Sequence, residues 1–101
     1  MFRRARYGTL IGTQLDLFVR EHADVLTEVR ERLAAYNSAE RSEAEELYGD
    51  YLDAVETGTE ILADMRDHYA RSLEDGDGYI REFNSAVARR LPEYALEIEN
   101  R

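Results

Sequence analysis

The chain has 101 residues, 44% of them hydrophobic, and its 22 acidic against 13 basic side chains give a formal net charge of −9. That length is one domain with a core of modest size, and the acidic surplus opposes non-specific attraction to nucleic-acid phosphates. No cysteine is present, which removes disulfides, thiolate catalysis and thiolate metal sites.

The opening run Met1-Phe2-Arg3-Arg4-Ala5-Arg6 is basic like the start of a secretory signal, but Gln14 and Asp16 interrupt the stretch Gly8 to Val19 and no cleavage site follows. Nothing approaches a continuous apolar membrane span. The expectation is a cytoplasmic protein with no membrane and no nucleic-acid contact. Residues 1–7 are expected as a basic disordered tail and 8–101 as a single helical domain.

From Thr9 to Tyr36 the positions Ile11, Leu15, Phe18, His22, Val25, Val29, Leu33 and Tyr36 step by three or four residues. All but His22 are apolar or aromatic, the pattern of one long amphipathic helix. Asn37-Ser38 breaks it, and Ser42-Glu43-Ala44-Glu45 has the spacing of a capping box. A second helix then runs to about Glu74, with a seam of Ala44, Tyr48, Tyr51, Val55, Gly58, Leu62, Met65 and Tyr69 in heptad rhythm. Leu47, Ala54 and Ile61 on one flank, with Leu52 and Leu73 on the other, widen the apolar face to that of a bundle. Beyond the glycine-rich turn, Ile80, Phe83, Val87, Leu91, Tyr94 and Ile98 mark a third helix that kinks or restarts at Pro92. The expected fold is all-α, an antiparallel three-helix bundle with long first and second helices.

Four features invite a chemical reading. Asp75, Asp77, Gly78 and Ile80 occupy positions three, five, six and eight of an EF-hand loop, yet positions one and twelve are Leu73 and Asn84, where a calcium site needs carboxylates. A helix stop explains the same residues, with Gly76 or Gly78 as a left-handed residue past the helix end and Asp77 capping the next helix. Ferritin-like metal centres use Glu-x-x-His pairs, whereas Val19 and Met65 stand three residues before His22 and His68. No metal site, cofactor site or catalytic residue is therefore assigned. Glu46, Asp50, Asp53, Glu60, Asp64 and Asp67 form an acidic file down the back of the second helix; it is a solvated face, or else a docking surface for a basic protein partner. Gly58, mid-helix on the seam, is expected to admit a large neighbour, with Phe18 opposite it if the hairpin turns at Asn37.

No nucleophile motif or phosphate loop occurs, so the chain reads as a non-enzymatic helical interaction protein that self-associates. The third helix is too short to cover the whole hairpin, which leaves an apolar end as a homodimer interface of Val25, Val29, Leu33, Tyr36, Leu47, Tyr48, Tyr51 and Leu52. The alternative is a helical bundle binding a small ligand or a metal, with His22, Tyr51 and Tyr69 lining the pocket.

Overall fold

A computed structural model describes residues 6–101; the remainder of the expected tail, residues 1–5, lies outside the described residues. Among the described residues the regular structure is all helix, with no strand. There are five α-helices in place of the three expected: α1 (Gly8–Glu21), α2 (Ala23–Asn37), α3 (Ala44–Ala70), α4 (Gly76–Arg90) and α5 (Ala95–Glu99), with a 3-10 turn at Pro92–Tyr94 before the last.

The extra count arises at two places. The expected first helix divides at His22, whose φ of −119° and ψ of 36° leave the helical region. The hydrogen-bond ladder is only bent there, since His22 N–H still donates to the Phe18 carbonyl at 2.8 Å and Leu26 N–H to the His22 carbonyl at 3.1 Å. The bend turns α1 onto α4 while α2 lies along α3. No glycine or proline marks it; the helices on its two sides pack on different partners, α1 on α4 and α2 on α3. At the second place Leu91 adopts an extended φ of −134°, as the residue before proline favours. Pro92 then opens the 3-10 turn, where its missing N–H is harmless, so the chain restarts.

Residues 6 and 7 are not part of a free tail. Tyr7 N–H donates to Glu82 at 2.9 Å, Arg6 lies 3.6 Å from Asp75, and the Tyr7 ring meets Tyr79 edge to face. Asp75 caps α4 by accepting from Gly78 N–H at 3.1 Å. A Cβ on Gly78 would collide with that carboxylate, and no glycine has a positive φ. The glycines here permit close approach, not a left-handed helix stop, and the cap is Asp75, not Asp77. The capping box at Ser42 does not form: α3 starts after Glu43 without a side-chain cap, and Ser38 instead donates back to the Ala34 carbonyl.

The core is one cluster. Ile11, Leu15 and Phe18 of α1 meet Tyr79, Phe83 and Val87 of α4, over Val55 and Leu62 of α3, with Leu91, Tyr94 and Ile98 closing one side. Each such side chain taken out of water contributes about 1.5–3 kcal/mol. Asn84 bonded to Arg66, and Tyr94 seated on Gly58, set one antiparallel register between α3 and the chain from α4 to Tyr94. Ile98 then departs from it: its carbonyl accepts from Arg66 at 3.0 Å, whereas straight continuation leads to Val55. The chain doubles back after Tyr94.

Candidate functional site

Tyr36 faces Tyr48, with ring centroids 5.1 Å apart, and Arg32 pairs with Asp50 at 3.3 Å. Partners on α3 therefore lie about two helical turns further along than a hairpin turning at Asn37 requires, because residues 38–43 add a loop. This shift separates Phe18 from Gly58. Tyr94 comes between them, its ring edge-on to Phe18 at 6.0 Å, and a Cβ on Gly58 would fall within that ring. Gly58 is thus a packing notch for Tyr94.

α4 and the segment after it cover α3 from Ala70 down to about Val55, burying Val55, Thr59, Leu62, Ala63, Arg66 and Ala70. The lower half of α3 and the C-terminal half of α2 project beyond as a two-helix arm. The stripe of α3 carrying Val55, Thr59 and Leu62 continues down the same face as Tyr48 and Leu52. There they stand 44% and 43% exposed. Tyr51 joins Tyr48 at 6.2 Å, and partial burial, then the Glu93 carboxylate and Tyr48, push the Tyr51 phenol upward. Leu33, Tyr36 and Leu47 are half-buried in the same arm, as is Val25 higher on α2. Val29 differs from the rest of the expected interface: it is fully buried within the chain, where the bend at His22 turns α2 inward, so its side chain has no surface to offer a partner.

The alternative pocket is not assembled. Tyr51 and Tyr69 sit eighteen residues apart on one helix, roughly 27 Å along its axis, too far to line one small-molecule site. His22 stacks beside Phe18 at 5.6 Å and His68 beside Tyr69. Among the described residues no three His, Asp or Glu side chains converge as metal ligands would, and none of the helices is long and apolar enough to cross a membrane.

A second surface feature has no counterpart among the sequence expectations. Between α1 and α4 lies a cleft of about 360 Å³, lined by Gly8, Gly12 and Ala86 together with Arg81, Arg89, Arg90 and one carboxylate, Glu82, which already accepts from Tyr7 N–H. The available signals were the Gly8-x-x-x-Gly12 spacing and two arginines eight residues apart. Neither is informative until the two helices are known to be neighbours. Compared with protein-family models, with curated proteins and with solved structures, the chain finds no significant match.

Proposed function

We propose that the protein is a cytoplasmic, non-enzymatic helical interaction protein whose two-helix arm pairs with the arm of a second copy. One observation carries this reading: the apolar stripe that the rest of the chain covers on upper α3 runs on, uncovered, through Tyr48 and Leu52. Aromatic side chains with a polar tip are favoured interface anchors, and three tyrosines cluster on this arm. Two arms packed face to face form a twofold four-helix arrangement in which Leu33, Tyr36, Tyr48 and Leu52 of each copy close the open side.

Size-exclusion chromatography with light scattering tests it directly. The expected result is a dimer mass at micromolar concentration, with Leu52→Glu shifting the equilibrium toward monomer by about 100-fold or more, since an unpaired carboxylate would be buried. A mass that stays monomeric throughout would leave the arm to another protein and remove self-association from the reading.

A further inference from the structure

The charge of this chain is strongly segregated. Residues 22–75, which include α2 and α3, hold fifteen carboxylates against five arginines, whereas α4 holds three arginines against two carboxylates. On α3, ion pairs engage Asp50 with Arg32, Asp67 with Arg66 and Glu56 with Arg101. Asp53, Glu60 and Asp64 stand exposed and outside those pairs on the outward side of α3. At the α1–α4 cleft, Arg90 is held by Asp16 at 2.6 Å and by the Gly12 carbonyl. Arg81 and Arg89 are exposed and form no ion pair among the described residues.

We infer that the cleft between α1 and α4 receives the acidic outer face of α3 from a second copy of this chain. Charge and spacing agree. Arg81 and Arg89 lie about 12 Å apart along α4, and Asp53 and Glu60 about 10 Å apart along α3, a difference that side-chain reach absorbs. Each contact joins a guanidinium to a carboxylate, for which the planar fork of arginine is suited. The floor admits a helix. A Cβ at Gly12 would meet nothing within 4 Å, so packing within the chain does not require glycine there, although glycine costs about 1 kcal/mol relative to alanine mid-helix. A cleft floored by glycine allows an incoming helix to approach closely. Since cleft and acidic face are different patches of one molecule, the contact is heterologous and repeats from copy to copy. The arm's apolar face takes no part in it.

Sedimentation velocity on the full chain tests this by charge exchange. The parent should form species larger than a dimer as concentration rises. Arg81→Glu with Arg89→Glu, and separately Asp53→Arg with Glu60→Arg, should each weaken that growth by at least about 100-fold, because like charges then face each other. An equimolar mixture of the two variants should recover it, since both junctions are again complementary. Gly12→Leu, which fills the cleft, should abolish growth while leaving helicity intact and the thermal midpoint no lower, a result that loss of folding cannot imitate. Leu52→Glu should remove only the arm pairing and leave growth beyond a dimer through the cleft in place, which separates this contact from the arm. A parent that never exceeds a dimer, variants that assemble like the parent, or a mixture that fails to recover would each overturn the inference.

Discussion

At the scale of single residues, glycines are used in opposite ways. Gly58 makes room for the Tyr94 ring, so even Gly58→Ala forces a displacement of the C-terminal segment; the expected loss is about 1–3 kcal/mol despite better helix propensity. Gly49, mid-helix on α3, has open space where a Cβ would stand, with nothing within 4 Å, and Gly49→Ala should stabilise by about 0.5–1 kcal/mol. Paired thermal melts check both signs. The buried phenols give a second expectation. Burial is the main reason that Tyr79 and Tyr94 are each pushed up to about 12 from an ordinary value of 10.0. Their folded pKa values exceed the unfolded ones, so the stability linked to them is complete below pH 10 and is lost as pH rises from there through about 12. Tyr94 has a buried hydroxyl without a partner, whereas Tyr79 donates to Gln14. Tyr94→Phe should therefore be close to neutral at pH 7 and reduce the alkaline loss, while Tyr79→Phe should cost about 1 kcal/mol at pH 7 by orphaning the Gln14 carbonyl. Melts between pH 7 and 12 separate the two. The sequence put Tyr94 on a seam but could not single it out from the other seam tyrosines, because its role depends on a neighbour thirty-six residues away.

At the scale of elements, the short C-terminal helix is too brief to be stable alone; it is held by the buried Ile98 side chain and by one buried cation. Arg66, 2% exposed, donates to Asp67, to the Asn84 amide oxygen and to the Ile98 carbonyl. Arg66→Met keeps the apolar stem but leaves the buried Ile98 carbonyl and the part-buried Asn84 amide oxygen without a donor, which should cost about 1–3 kcal/mol. Hydrogen exchange should accelerate first at residues 95–101; uniform acceleration across all helices would mean that α5 is not held separately. The helices themselves were legible from apolar spacing, and so was an interruption at Pro92, though not whether the chain kinks or restarts there. The division at His22 was not, because its residues carry no breaker and the bend serves α4, which is remote in sequence. The hairpin register was equally hidden, since it depends on how many residues the loop absorbs.

At the scale of the molecule, the arm makes the shape elongated, 50 × 30 × 23 Å with a Cα radius of gyration of 15.3 Å, against about 13 Å for a compact domain of this length. That the third helix would leave an apolar end followed from unequal helix lengths and is visible in the exposure of Tyr48 and Leu52. Which side chains lie on its open side required the bend and the register. Val29 illustrates the difference. Val29→Glu should lower the thermal midpoint sharply by burying a carboxylate in the core, whereas Leu52→Glu should leave the midpoint of the dilute protein nearly unchanged. Concentration-dependent melts distinguish a core position from an interface position.

The doubling back of residues 91–101 also orders events during synthesis. The α2–α3 hairpin uses neighbours in sequence and can form early, but Tyr94 and Ile98, both wholly buried, emerge only after every helix they cover. At the usual pace of translation the stripe from Val55 to Leu62 waits on the order of seconds for its cover. During that interval the nascent chain presents a continuous apolar ridge from Tyr48 to Leu62, longer than any the finished protein displays, and it is then that the chain is most exposed to premature pairing with a neighbour on the same message.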